Sequence, residues 1–341
     1  MKTVSLKVGT MATIKDVAQR AGLSISTVSR YMNHHPYISE EKKIKIQQAM
    51  DELDYVPNSI AMQLRSNKSY TIGIIVPRIT NPYFAYLIDA IDKEIKDTPY
   101  HTLIMQTYNH KDEELRLLNM FKQKHIAGVI MGTLENDIEV LEPYTQYGPI
   151  VLSADQSTQS DKVKIIHTNQ RQTTYDAIQY LINKGYRHIA YCTDNHYYDH
   201  CFNKPRNIGF REAMKDNGLA IRREWIFNNV HTIEDGERIG ETLLEQDMLP
   251  DAIFTGSDEV VLGLIHFLTE HHIDIPNQIA IMGYDNQPIS SLLKIPLSTV
   301  NQPVNDIGKQ LIHYLLALLE DTTFESNHDV LKLNIVERQS T

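Results

Sequence analysis

Cysteine and tryptophan are almost missing from this chain, and so are long apolar runs. Cys192 and Cys201 are its only cysteines in 341 residues, so no disulfide framework holds it together, and a reducing, cytosolic setting suits it. No segment approaches the roughly 20 apolar residues of a membrane-spanning helix, and the opening MKTVSLKVGT has two lysines but no apolar stretch long enough for an export signal. Neither a glycine-rich phosphate loop, a G-x-S-x-G elbow nor a zinc-protease helix occurs, which argues against an enzyme. Solenoid repeats and low-complexity tracts are absent as well.

What is there is length, apolar content and an uneven distribution of charge. The chain is long enough for two or three domains with real cores. Its net charge of −10 taken alone speaks against a nucleic-acid partner. Yet residues 1–70 carry ten Lys and Arg against six Asp and Glu, and the acidic excess lies wholly in the rest. A positive head on an acidic body suits DNA binding at one end.

That head has a recognisable rhythm. Thr13 can cap a first helix with Asp16 three residues on, Ile14, Val17, Ala18 and Ala21 form its apolar face, and Gly22 supplies a turn. Ser24 can cap a second helix with Val28 and Met32 inward and Ser26, Thr27, Ser29 and Arg30 largely outward. Helix, tight glycine turn and short polar-faced helix make a helix-turn-helix, whose second helix fits the major groove of B-DNA. Ser39 is a cap for a third helix with Ile44, Ala49, Met50 and Leu53 on its buried side, ended by Pro57. Asn58 can cap one more short helix over 59–65, too short to be stable alone, and a polar linker follows.

From residue 70 the texture becomes β-α alternation. Strands are expected at 70–76, 102–107, 128–131, 150–153, 165–167, 188–192, 252–255 and 279–283. Amphipathic helices are expected at 83–97, 112–124, 172–184, 206–216, 232–245 and 260–271. Such alternation means parallel sheets covered on both faces, and the strands are too many for one comfortable sheet, so two α/β lobes are expected, beginning near 70 and 169. In the loop DNHYYDHC, His196 and His200 stand four apart near both cysteines. A zinc site there would need a helix, whereas the segment joins a strand to a helix start; no metal is expected, and Tyr197, Tyr198 and His200 are assigned to a wall of a ligand pocket.

The string DVAQRAGLSISTVSRYMN resembles the amino-terminal signature of the lactose/galactose-repressor (LacI/GalR) family of bacterial transcription regulators. YVPNSIAMQLRSNKSYTIGIIVP resembles the family's next section, at the required spacing. The resemblance implies an all-α helix-turn-helix head followed by an α/β two-lobed periplasmic-binding-protein-like effector domain. Residues 1–10 would be a disordered extension or precede a start at Met11. The head would cover 11–57 and a hinge helix with linker 58–69. The first lobe would comprise about 70–168 plus 300–320, and the second 169–298 plus 328–338, with three crossings between them.

It further implies a cytoplasmic homodimer on pseudo-palindromic operator DNA, regulated, as a repressor, by a small molecule of carbohydrate type and needing no cofactor. Ile25, Ser26 and Arg30 would meet base edges and Thr27, Ser29 and Asn33 phosphates. Asn58 caps the hinge helix, from which Leu64 would wedge into the minor groove. Effector contacts would come from Tyr83 and Phe84 in NPYFAYLIDAI, Arg206 in RNIGF, Ser257 and Asp258, and Asp285 in MGYDN, with His200 beside them. The chain departs from the family where Asp155 falls one residue late, and at Thr168, Asn169 and Gln172, where Asp-Asn and a glycine are usual. A solute receptor without DNA function and a sugar-modifying enzyme are the alternatives, disfavoured by the basic head and the missing catalytic constellation.

Overall fold

The structure, a computed structural model, describes residues 12–32, 37–55, 69–194, 197–198, 204–324 and 330–341. Asn33, Asn58, Leu64 and His200 therefore lie outside the described residues. The chain divides into two compact units, Met1–Ser69 and Tyr70–Thr341.

In the smaller unit, helices α1 (Ile14–Ala21), α2 (Ile25–Met32) and α3 (Glu40–Glu52) surround a core of Val17, Ala18, Val28, Ile46 and Ala49. Thr13 and Asp16 form a reciprocal capping box, and these hydrogen bonds hold the Asp16 carboxyl below its ordinary range. Gly22 closes α1 in the left-handed region at φ 65°, which a side chain would disfavour. The Ser24 hydroxyl accepts from Thr27 N at 3.2 Å and so starts α2. The third helix corrects the sequence reading. Ile44 is 56% exposed, and Ile46 is the residue fully buried. At about 100° per residue, Ile46 shares a face with Ala49, Met50 and Leu53, while Ile44 lies roughly 200° from Ile46. Ser39 precedes α3 but makes no side-chain cap bond.

The larger unit holds two sheets. The first has the order β2-β1-β3-β4-β5, all parallel, from β1 (Thr71–Val76), β2 (His101–Gln106), β3 (Gly128–Met131), β4 (Ile150–Asp155) and β5 (Lys164–Thr168). The second has the order β11-β10-β9-β8-β6-β7, from β6 (Ile189–Cys192), β7 (Ile226–Phe227), β8 (Ala252–Phe254), β9 (Ala280–Asp285), β10 (Ser298–Asn301) and β11 (Asn334–Val336). It is parallel except for β11, which runs antiparallel to β10.

Covering helices are α4 (Pro82–Ile95), α5 (Lys111–Phe121), the short α6 (Ile138–Leu141), α7 (Gln170–Asn183), α8 (Pro205–Asp216), α9 (Ile233–Leu244), α10 (Asp258–Glu270) and α11 (Val304–Leu319). Strand alternation divides the first lobe into two cores: Ile72, Ile74, Val76, Ile130 and Val151 face α4 and α11, while Ile75, Val129, Met131 and Leu152 face α5. Helix α11 returns to this first lobe, setting Ile307, Leu311 and Ile312 against Leu87 and Ile91. Residues 300 and 301, expected in the first lobe, belong instead to the second sheet.

Strands β7 and β10 escape the sequence patterns for separate reasons. The first is only two residues long. The second, Ser-Thr-Val-Asn, buries two hydroxyls and only one apolar side chain, Val300, and the hydroxyls' hydrogen bonds are satisfied by Asp258 and the chain end. Helices α9 and α10 approach so closely that a Cβ at Gly263 would sit 1.8 Å from the Ile233 carbonyl, and one at Gly236 2.0 Å from that of Val260. Close packing of this kind fixes the strand ends that carry the site.

Candidate functional site: an interlobe cleft and an exposed helix

In both sheets the parallel strands end at one cleft with a cavity of about 240 Å³. Crevices at strand carboxyl ends are where open α/β folds bind ligands, because side chains from several strands converge there. Asp285 closes β9 with φ 111°, a region that residues with side chains rarely adopt, and its carboxylate lines the cleft. It accepts hydrogen bonds from Gln302 at 2.7 Å and from Ser257 and Gln287 at 3.3 Å. Burial pushes this carboxyl up to about 7; nearby Asp258 adds to the shift, and Arg206 opposes it.

Arg206, in the first turn of α8, is half-buried with its guanidinium 3.7 Å from the centroid of the Tyr284 ring. The Gly256 carbonyl and the Gln170 side chain take two of its five donors, at 3.0 and 3.2 Å. Burial alone would lower the guanidinium's pKa; Tyr284, Asp194 and Asp285 around it reverse that and raise it. Tyr83 and Phe84 follow Asn81, which caps α4, and meet edge to face at 5.0 Å on the cleft wall. Ser257 caps α10 and also lines the cleft.

Asp258 departs from its expected role. It is fully buried, does not line the cleft, and its oxygens are occupied by Ser290 Oγ and Thr299 Oγ1, each at 2.6 Å, and by Gln287 N at 2.8 Å. The carboxylate lies against Gly283, where a Cβ would come within 2.1 Å of it. Burial raises it to about 6. Asp258 thus ties α10 to β9 and β10 instead of reaching a ligand.

Tyr197 is likewise no pocket wall. It is buried in the second-lobe core against Tyr191 and Phe210, and Tyr198 does not line the cleft either. Cys192 is buried, and burial raises its thiol well above the ordinary range. Among the described residues no group of His, Cys, Asp or Glu is arranged to hold a metal.

Several cleft residues were not anticipated: Arg78, Glu135, Asp194, Lys204, His231 and Gln302. A usable signal existed. Asp155 and Asp285 end strands, and Arg78, Glu135, Asp194 and Gln302 lie within four residues after one, so the first polar residues past each strand of a parallel sheet mark the site. Arg78 of the first lobe donates to Glu259 at 2.8 Å and to the His231 carbonyl at 2.7 Å, both in the second lobe. Asp155 accepts from Ser157 N and Oγ and, at 3.1 Å, from Arg171 N across the lobe crossing.

In the smaller unit, α2 exposes Ile25, Ser26 and Arg30 and buries Val28, while Thr27 and Ser29 are half-buried. The Ser24 hydroxyl lies 2.9 Å from that of Ser26 and 2.8 Å from that of Thr27, so the exposed face opens with a hydroxyl cluster.

A helix-turn-helix head joined to a two-lobed body with a polar interlobe cleft defines a ligand-responsive DNA-binding protein. Residues 13–58 match the model for bacterial regulatory proteins of the lacI family, and residues 178–341 match that for a periplasmic binding protein-like domain. The chain is 35% identical over 336 residues to the NTD biosynthesis operon regulator NtdR of Bacillus subtilis (strain 168), covering 97% of this chain and all of that one. It is 32% identical to catabolite control protein A of Priestia megaterium over 96% of this chain and 99% of the relative. A LacI family regulator from Lactobacillus casei solved with bound sucrose superimposes with a TM-score of 0.74 at 33% identity, over 80% of this chain and 99% of that one. This chain belongs to the LacI family of bacterial transcription regulators, and its activity is DNA binding under ligand control, not catalysis.

Proposed function

We propose that the chain acts in the cytoplasm as a homodimeric repressor on a pseudo-palindromic operator, and that a small carbohydrate-type effector bound between the lobes sets its operator affinity. The Arg206–Asp285 pair at the cleft carries this reading. A forked donor beside a carboxylate acceptor suits vicinal hydroxyls, and Tyr83 and Phe84 offer the apolar faces on which a sugar ring packs. The Lactobacillus casei regulator with bound sucrose or glucose supports the ligand class. No described helix is long and apolar enough to cross a membrane.

Dimer formation is supported by the edge of the first sheet. Strand β2 exposes Leu103 and Ile104, helix α4 exposes Tyr86, and Ile79 and Tyr108 are exposed beside them, both tied to Gln106 by hydrogen bonds. An uncovered apolar edge is a liability for a monomer and an interface for a pair. On DNA, Ile25, Ser26 and Arg30 face base edges and Thr27 and Ser29 the phosphates, with the two α2 helices of a dimer about 34 Å apart.

The effector works only through different affinities for two lobe arrangements, a coupling typically of about 1–3 kcal/mol. Gel-shift titration of DNA from upstream of the protein's own gene, with and without a panel of sugars, tests the proposal. A retarded complex whose midpoint moves with one sugar supports it; no retardation at low salt, or retardation indifferent to every sugar, overturns it.

A further inference from the structure

The turn that ends β9 is held from behind by a residue outside the cleft. Asp285 and Asn286 follow one another at φ 111° and 54°, two successive residues in the left-handed half of backbone space, where side chains are disfavoured. Such a turn persists only where its surroundings hold it. Here the Gln287 N–H donates to Asp258 at 2.8 Å, and the Asn286 side chain is gripped at both ends. Its Nδ2 donates to Asn301 Oδ1 at 2.9 Å, and its Oδ1 accepts from Arg338 Nη2 at 2.7 Å.

Arg338 lies just after β11 and is half-buried. Its Nη1 donates to the Leu297 carbonyl at 2.6 Å, and its backbone N–H donates to Ser298 Oγ at 2.8 Å. The guanidinium fork thus spans the start of β10 and the turn after β9, a grip that needs two donors fixed in one plane. Both of its acceptors are neutral, so what the fork supplies there is geometry. Its charge acts at longer range, favouring the ionised form of Asp258, the carboxylate that takes the Gln287 N–H. Neither Arg338 nor Asn286 lines the cleft, whereas Asp285 does. The segment that carries Arg338 also changes lobe on its way there, with Leu331 in a first-lobe core and Leu333 in a second-lobe core.

Resting on the reading of the cleft as the effector site, we propose that Arg338 is a positioning residue for effector binding: by holding Asn286 it keeps the left-handed turn that aims the Asp285 carboxylate into the cleft. Released from Arg338, Asn286 relaxes toward ordinary backbone angles. The Asp285 carboxylate then turns out of its seat among Ser257, Gln287 and Gln302.

The test is a carboxyl NMR titration of the full chain with aspartate labelled at its side-chain carboxyl carbon, the Asp285 signal being identified by its loss in Asp285→Asn. Asp285, pushed up to about 7 chiefly by burial, is expected to titrate about 1 pH unit or more lower in Arg338→Lys, because a carboxylate that leaves its buried seat meets water. Lysine keeps the charge and loses the fork, so a role of charge alone predicts no change. Asn286→Ala should give the same fall with Arg338 in place, and Arg338→Lys should add nothing in that background. An unchanged Asp285 midpoint in Arg338→Lys, or a full second fall in the double variant, overturns the proposal. Calorimetric titration with sucrose and D-glucose reads the consequence: the sugar that the wild type binds should bind about tenfold more weakly to Arg338→Lys, and equal affinity overturns the link to binding. Binding of neither sugar by the wild type counts against the carbohydrate reading alone, since the carboxyl titration judges Arg338 without a ligand.

Discussion

Arg78 and Glu259, 181 positions apart in the chain, meet at 2.8 Å across the cleft, both side chains largely buried. The pair joins the loop after β1 to the first turn of α10 and so ties one lobe to the other. Breaking one partner of such a pair leaves the other charge desolvated, and the penalty falls on the lobe arrangement that holds the contact.

Glu259→Gln is accordingly expected to weaken effector binding by about tenfold, equivalent to roughly 1.4 kcal/mol, and to reduce the effector's shift of operator affinity by a similar factor. Titration of effector in the presence and absence of operator DNA measures both. Equal affinity and equal shift in the variant would remove the pair from the switching mechanism.

Asp285 and Asp258 make the effector-binding unit sensitive to pH in a definite sense. Both carboxyls are raised by burial, to about 7 and about 6, and an unfolded chain releases those protons at lower pH. Between about pH 4 and 7 the native state binds more protons, so this contribution to stability is present at acid pH and is lost as pH rises through that window. Asp285→Asn removes part of the dependence. Unfolding free energies from urea titrations at about pH 5 and 7.5 are expected to differ less in the variant than in the wild type, by about 1 kcal/mol or more. An identical difference in the two proteins would contradict the assignment.

The exposed β2 edge predicts an assembly defect that spares ligand binding. Ile104→Asp puts a charge into an apolar interface and should convert the dimer to monomers in sedimentation equilibrium, with operator affinity falling by an order of magnitude or more and effector affinity nearly unchanged. A variant that stays dimeric would place the interface elsewhere.

On DNA, Arg30→Ala should cost about 1–3 kcal/mol on the preferred operator and flatten the preference at one base pair per half-site, because a bidentate guanidinium reads guanine. Thr27→Ala should instead weaken all sequences about equally. Binding to a library of half-site variants separates the two patterns.

Much of this protein was legible in the chain itself. The capping box at Thr13, the turn at Gly22 and the spacing of Val17, Ala18 and Val28 are local signals, and local hydrogen bonding and helical periodicity read them out without help from distant residues. The apolar strands β1, β3 and β4 of the first sheet were equally plain because each is buried on both faces. At Ile44 and Ile46 periodicity was the right tool, and the choice of face was settled by which side met α1 and α2. Strand β10 was invisible because two of its three buried side chains, those of Ser298 and Thr299, are hydroxyls, and Asp258 and the chain's last residues, far away in sequence, make that burial tolerable.

The cleft followed the same division. Asp285 and Arg206 could be picked out by motif, whereas Arg78, Glu135, Asp194 and Gln302 are ordinary polar residues until two sheets bring their strand ends together. Asp258 and Tyr197 looked like ligand contacts and are internal supports, since a side chain's direction depends on the packing around it. The sequence by itself determined most of the elements, the head and the family, because caps, turns and apolar periods act over a few residues. Which acids face a ligand, and with what protonation, was decided by the tertiary structure, because burial and charge neighbours exist only after distant segments have met.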